Sequence, residues 1–325
     1  MKTLIAAALA AFLIPAAVPA VANAEFPDKP VTVVFPNGAG GNFYQIALAI
    51  SNEMAKNMPV PITVNAMPGA ATANGTRFVA DQRPNGYTLE FIHEGVMQAS
   101  LLGMLGFDVM EKMEPLASVV TTYPGLYTLG SSPFNNLDEL VDYAKAHPGD
   151  VKMAINTGSS AHVSMLSVAS ALGIEDDVRL VHTPGGGAGF TSGLLAGDVN
   201  LIQQNPSQLV DMVKTGDVKA IAFTGKERDP LLPDTPTMAE QGFKTPNAVT
   251  STGYFWIRRD TPDAIKDYWR EQIAKVMTDP AAVARMEDIL HLKLTYVAAP
   301  EVDEAAQAAF DERKGYLTQL GLLPN

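Results

Sequence analysis

The sequence predicts an α/β protein of two domains. Three observations carry this. Short β-branched runs alternate with segments of helical periodicity over most of the chain, the grammar of largely parallel sheets. The 325 residues exceed what one core of roughly 100–150 residues uses. Hydrophobic residues make up 47% and charged residues 18%, enough to bury sizeable cores.

The first strand is Val31–Phe35. Phe43, Ile46, Ala47, Ile50 and Met54 then recur at helical spacing. Ile62–Val64 and Thr88–Ile92 are further strands, the latter introduced by the turn Pro84-Asn85-Gly86. In the middle, Leu137, Leu140, Val141 and Ala144 form a helix face and Val151–Ile155 a strand. The helix that follows closes at Gly173. Arg179–His182 is a strand leading to a short helix that ends near Gly197, and Asn200–Gln203 and Ala220–Phe223 are strands. In the tail, Thr261-Pro262-Asp263 reads as N-cap, first-position proline and first-turn acid, ahead of Ile265, Tyr268, Trp269, Ile273 and Val276 on one face. Asp279-Pro280 opens another helix, and a last one runs from about Pro300 to Leu320.

No polar linker divides the halves. The chain is expected to cross between domains on extended segments, Thr121–Leu129 and Val249–Ile257. Residues 25–122 and 253–325 then form domain 1, completed by the C-terminal helices, and residues 123–252 form domain 2.

Residues 1–24 read as a signal peptide: Lys2, the apolar run Leu4–Ile14, and Ala22-Asn23-Ala24 as cleavage site, with cleavage after Ala24. Eleven residues of helix rise about 16 Å, short of a bilayer core of about 30 Å. Removal of Lys2 leaves 22 basic against 35 acidic residues, a balance of −13, which argues against nucleic acid and anionic membranes as partners. Cysteine is absent, so disulfides, thiol catalysis and thiolate metal sites are excluded. An exported, acidic, cysteine-free chain fits a bacterial periplasm. No cofactor or metal is expected.

Three strand-to-helix loops share one chemistry. They are Asn37-Gly38-Ala39-Gly40-Gly41-Asn42, Thr157-Gly158-Ser159-Ser160-Ala161-His162 and Pro184–Gly189, the last with Gly186 and Gly187 at its centre. Each is rich in glycine or small hydroxyl residues, and none has a lysine or arginine. Helix N-termini present unpaired N–H groups and partial positive charge, and glycine lets a ligand approach them. Such loops bind anions without basic side chains, outside the carboxyl ends of the strands. A hydrogen bond to a charged group contributes about 1.5–3 kcal/mol. A few of them reach the ~8 kcal/mol of micromolar binding. The distant net charge is screened beyond about 8 Å. Gln204 can add an amide donor, though simple capping serves it equally well.

Gly38, Gly40 and Gly41 do not make a dinucleotide fingerprint, because the third glycine position falls on Phe43. Ser159, Ser160 and His162 invite a secreted serine hydrolase reading, but they surround one helix start and no G-x-S-x-G is present. No catalytic residue is assigned. His93-Glu94 does not make a metal site. Glu94 is expected to point to solvent, since a carboxylate beside an anion site is unfavourable unless the ligand carries a donor. Tyr254, Phe255 and Trp256 are expected in the core.

The motifs together resemble a known family. FPDKPVTVVFPNGAGG at 26–41, RPNGYTL at 83–89, GSSAH at 158–162 and LPDTPTMAEQG at 232–242 occur in order. They are similar to the opening strand and loop, the P-D-G-Y-T-L turn, the second loop and the P-D-V-P-T-x-x-E-x-G segment of tripartite tricarboxylate transporter receptors, the Bug or TctC-like proteins. The resemblance implies a two-domain periplasmic binding protein fold, type II-like, with a ligand cleft between the domains. It implies capture of a small organic carboxylate, a di- or tricarboxylate and aromatic in some cases, by backbone and hydroxyl groups of Asn37–Asn42 and Thr157–His162. It also implies delivery to integral membrane transporter subunits by a receptor expected to be a monomer. A ligand-sensing partner of a membrane signalling protein is the alternative. The chain departs from the family pattern at Asn42 (acidic in the family), at Ile46 (arginine) and at Gly185-Gly186 (tyrosine-lysine).

Overall fold

The computed structural model describes residues 26–319 and 321–324. The expected signal peptide and its cleavage site lie outside the described residues.

The chain opens with β1 (Val31–Phe35), α1 (Asn42–Ala55), β2 (Ile62–Ala66), α2 (Ala73–Asp81), β3 (Thr88–His93), α3 (Gly95–Leu101), α4 (Val109–Lys112) and β4 (Met113–Thr122). It continues through β5 (Gly125–Leu129), α5 (Leu137–Ala146), β6 (Val151–Ile155), α6 (Ser160–Leu172), β7 (Val178–His182), α7 (Gly186–Ala196), β8 (Ile202–Gln204), α8 (Pro206–Thr215) and β9 (Val218–Phe223). It closes with β10 (Ser251–Arg258), α9 (Asp263–Met277), α10 (Pro280–Leu290), β11 (Val297–Ala298) and α11 (Glu301–Gln319).

The first lobe is built on a six-stranded mixed sheet in the order β11-β4-β10-β3-β1-β2. β1, β2 and β3 are mutually parallel, and β10 is antiparallel to both β3 and β4. Central strands covered on both faces read as continuous apolar runs, and Val33, Val34, Leu89, Phe91 and Ile92 are all fully buried. The edge strand β2 instead alternates half-buried and exposed residues. The C-terminal helices complete this core, with Trp269, Ile273, Met286, Val302 and Phe310 in the same cluster as β1 and β3. Ile46, where the family carries arginine, is fully buried here.

The second lobe combines an antiparallel sheet β8-β5-β9 with a parallel pair β6-β7. The Met153–Leu201 bridge joins them, so β7-β6-β8-β5-β9 run side by side. Sheet membership changes across Tyr123-Pro124, between β4 and β5. It changes again between Val249, in the second lobe's core, and Ser251, the first residue of β10. Thr224, just after β9, holds the first crossing, its N–H and Oγ1 both donating to the Pro124 carbonyl at 3.1 and 2.8 Å.

Two expectations change. Helix α9 has Pro262 at its N-cap, not Thr261, and Asp263 is the first helical residue. Thr261 is 3% exposed with its Oγ1 turned inward and unpartnered, so it is not available to cap. Glu94 does not point to solvent. It is 3% exposed, and its carboxylate oxygens accept the Thr252 N–H at 2.8 and 3.0 Å. Arg313 of α11, itself buried, lies 3.6 Å away. Burial pushes the Glu94 carboxyl up, against the Arg313 guanidinium and the Thr252 N–H, which favour its ionised form. These two partners replace the water that a solvent-facing position would supply.

Candidate functional site

The parallel order of β1, β2 and β3 sends their carboxyl ends to one rim, and each is followed by a helix start. In the second lobe, β6 and β7 are parallel and feed α6 and α7. All three loops singled out above therefore join a strand end to a helix N-terminus.

These helix starts contrast with three others in the molecule, although α2, α3 and α9 also lack a side-chain cap, α9 with Asp263 in its first turn. Helices α1, α6 and α7 begin at Gly41, Ser159 and Gly185 with no side-chain cap and no acid in the first turn. Helix α8 begins at Asn205, again with no side-chain cap. In contrast, α4, α5 and α10 are capped by Asp108, Asn136 and Asp279, whose side chains accept first-turn N–H groups. A cap contributes about 1 kcal/mol, so leaving it out where the strand ends converge keeps donors free at a cost in helix stability.

Gly38, Gly40 and Gly41 are exposed, and a Cβ on any of them would meet nothing within 4 Å. Ala39 is exposed beside them, while Asn37 and Asn42 are half-buried at the ends of the loop. Gly158 sits at φ +80°, the left-handed region where glycine is favoured, and packs against Met104 of the first lobe. Thr157 is held by His182 at the end of β7, whose Nδ1 lies 3.2 Å from the Thr157 N and 3.1 Å from its Oγ1. Ser160 opens α6. Gly187 lies so close to Gln204 that a Cβ would stand 2.6 Å from Nε2, while Gly186 faces open space.

Several polar atoms at these positions are buried and unpartnered: Ser159 Oγ, Gln204 Nε2 and Gln98 Oε1. Gln204 is 6% exposed, and its Oε1 accepts the Asn205 N–H, which leaves the amide nitrogen as a spare donor. The neighbouring Gln203 accepts a hydrogen bond from Ser164 Oγ.

The structure ties the second loop, through His182, to the end of the strand that feeds the third, and sets Gly187 of the third against Gln204. It joins the first lobe to the second loop through Gln98 of α3, whose Nε2 donates to the carbonyls of Ser159 (2.5 Å) and Gly158 (3.4 Å). Asn42 meets the second lobe across a cavity that Asn205 also lines.

A fourth loop carries little signal in the sequence. Gly69, Ala70, Ala71 and Thr72 all have positive φ (+128°, +47°, +48° and +85°) just before α2. Three consecutive non-glycine residues in this region store backbone strain, the kind of conformation that collects at functional sites. Thr72 is 4% exposed with an unpartnered Oγ1, and its methyl approaches the Gly95 position at the start of α3. The signal available was Pro68-Gly69 after a strand; nothing in Ala70-Ala71-Thr72 announces left-handed backbone.

His162 Nδ1 accepts the Gly158 N–H at 3.4 Å, across its own helix start, and burial holds its pKa down. Neither Ser159 nor Ser160 donates to it, so no nucleophile–base pair is built. His93, at the end of β3, accepts the Gly95 N–H at 3.0 Å. Burial, with the Arg313 charge added, lowers its pKa to about 4.

Two α/β lobes, linked by extended crossings and with the starts of α1 and α8 at the cavity between them, define a periplasmic binding protein fold. The chain belongs to the tripartite tricarboxylate transporter receptor family, whose profile matches residues 46–320. It is 25% identical to the protein BugT of Bordetella pertussis over 326 residues, covering 97% of this chain and 93% of that one. The structure of the periplasmic binding protein BugD superposes with a TM-score of 0.79 at 25% identity, over 92% of this chain and 100% of that one. MatC from Rhodopseudomonas palustris, solved with bound malate, gives 0.75 at 26% identity over 90% and 100%. Family membership makes the protein a periplasmic solute receptor of a tripartite transporter and not an enzyme. Among the described residues, no helix is long and apolar enough to cross a membrane.

Proposed function

We propose that the protein captures a small organic carboxylate in the cleft and delivers it to the membrane subunits of a tripartite transporter. One observation carries this reading: helix starts at the cleft lack side-chain caps, while α4, α5 and α10 keep theirs. The ligand's carboxylate oxygens take the place of the missing caps. Asn37, Gly38, Ala39, Gly40, Gly41 and Asn42 supply one jaw. Thr157, Gly158, Ser159, Ser160 and His162 supply the other, with Gly186, Gly187 and the spare Gln204 amide beside them. Malate bound to MatC supports the choice of ligand class.

In this reading, residues 25–122 and 253–325 form one jaw's domain and 123–252 the other's. The mature chain starts after Ala24 and works as a monomer. Calorimetric titration with a panel of di- and tricarboxylates tests the function. Saturable binding of at least one carboxylate, with saccharides and amines inert, is expected. Heating curves moved only by saccharides or cations would overturn it.

A further inference from the structure

A cavity of about 630 Å³ lies between the lobes, and Asn42 at the start of α1 and Asn205 at the start of α8 both line it. It therefore adjoins the carboxylate loops. The crossing residues Thr121, Thr122 and Tyr123 line it too. The first lobe adds Ala284 of α10 and Leu292 beyond it; the second adds Pro206, Pro230 and Leu231. An apolar cavity of about 150 Å³ already takes a benzene. A carboxylate of a few carbons occupies only a fraction of this one. Tyr123, backed by Gly225, remains 40% exposed here, a large apolar side chain left open at the crossing between lobes.

The charged groups around the cavity are unbalanced. Asp229, Glu287 and Asp288 face one ammonium, Lys293, and the His291 imidazole. Lys293 is already paired with Glu287 at 2.6 Å. Asp229 is half-enclosed, with Oδ1 accepting the Leu231 N–H at 2.9 Å. A second carboxylate placed here meets like charge at short range, where screening is weak. A hydroxyl or ammonium group meets acceptors.

We propose that this cavity holds the body of the ligand: an organic acid whose carboxylate sits at the glycine loops and whose apolar skeleton, ring-sized or longer, passes Tyr123 and ends in a hydrogen-bond donor near Asp229. This rests on the carboxylate reading of the loops and narrows its substrate class.

A matched series tests it on the mature protein by calorimetry: propionate, 3-phenylpropionate, 3-(4-hydroxyphenyl)propionate and 3-(4-carboxyphenyl)propionate, with malate joining propionate as a compact acid. The ring is expected to tighten binding at least tenfold over propionate. The hydroxyl is expected to hold or improve that gain, and the terminal carboxyl to lose it. Ala284→Trp, at an exposed helix position, is expected to abolish the gain while the compact acids bind as before. Asp229→Asn is expected to restore binding of the terminal carboxyl compound. Compact acids binding with no gain from the ring, or a gain unaffected by Ala284→Trp, would overturn the cavity's role alone. No binding by any acid would remove the carboxylate reading as well.

Discussion

The side-chain amide of Gln98, in the first lobe, donates to the carbonyl oxygen of Ser159, in the second, at 2.5 Å. Gln98 is 1% exposed, and Ser159 is the uncapped start of α6, so this bond clasps the lobes beside the second glycine- and serine-rich loop. A neutral hydrogen bond contributes about 0.5–1.5 kcal/mol. Gln98→Leu is expected to weaken carboxylate binding up to about tenfold with little change in melting temperature. Calorimetry and thermal melts read the two effects separately; unchanged affinity would mean that the clasp is incidental.

Arg313 and Glu94 give a different expectation. Both are buried, and removing one partner of such a pair strands the other's charge, a loss of about 3–5 kcal/mol. Arg313→Met is expected to destabilise by about 3 kcal/mol, and adding Glu94→Gln is expected to recover most of it. Urea unfolding of the two single variants and the double variant measures the coupling. Additive losses would show that the two residues act independently.

Glu90 sets a pH dependence. It is fully buried in β3, bonded to Thr76 Oγ1 at 2.8 Å, and desolvation raises its pKa to about 8. Between its ordinary value of 4.5 and about 8, the folded chain keeps a proton that the unfolded chain has lost. Stability therefore falls as pH rises through that window, by up to about 1.4 kcal/mol per unit. His93, lowered to about 4, acts in the opposite sense, removing stability as pH falls below 6.5. Glu90→Gln leaves the His93 contribution in place, so the difference between wild type and variant isolates Glu90. Urea midpoints from pH 5 to 8 are expected to fall more steeply for wild type than for Glu90→Gln; parallel curves would contradict the burial effect.

Two glycines separate folding from binding. Gly41 has φ −77° and open space where a Cβ would go, so Gly41→Val is expected to fold normally and to lose at least about tenfold in carboxylate affinity. Gly158 has φ +80°, where a side chain costs about 1–2 kcal/mol, so Gly158→Val is expected to lose both affinity and stability. Gly41→Val binding as tightly as wild type would remove the first loop from the site.

Much of this architecture was legible because local and tertiary signals agree. Val31–Phe35 is both β-branched and buried, Asp279-Pro280 is both a cap and a helix start, and Gly173 closes α6 in the left-handed conformation that glycine favours. β4, by contrast, contains Pro115 and shows an extended signal only from Thr121 onward, yet its pairing with β10 organises the large sheet. Tertiary pairing overrode a local breaker there. Helices α2, α3, α4 and α8 carry little local signal: the first three are short, and α8 follows a strand of only three residues. The burial of Glu94 has no local signal because its partners, Thr252 and Arg313, lie 158 residues or more away. The donor loops were visible as glycine and serine clusters, but the lack of caps on them shows only beside the capped helices elsewhere.

The central claim is that uncharged N–H groups at facing helix starts hold a carboxylate. Amide-resolved NMR during titration with a bound carboxylate tests it most directly. The account predicts the largest shifts at the N–H groups of 38–42, 157–162 and 186–187, saturating with the binding curve. Saturable binding that leaves those amides unmoved and shifts a lysine or arginine side chain instead would contradict it.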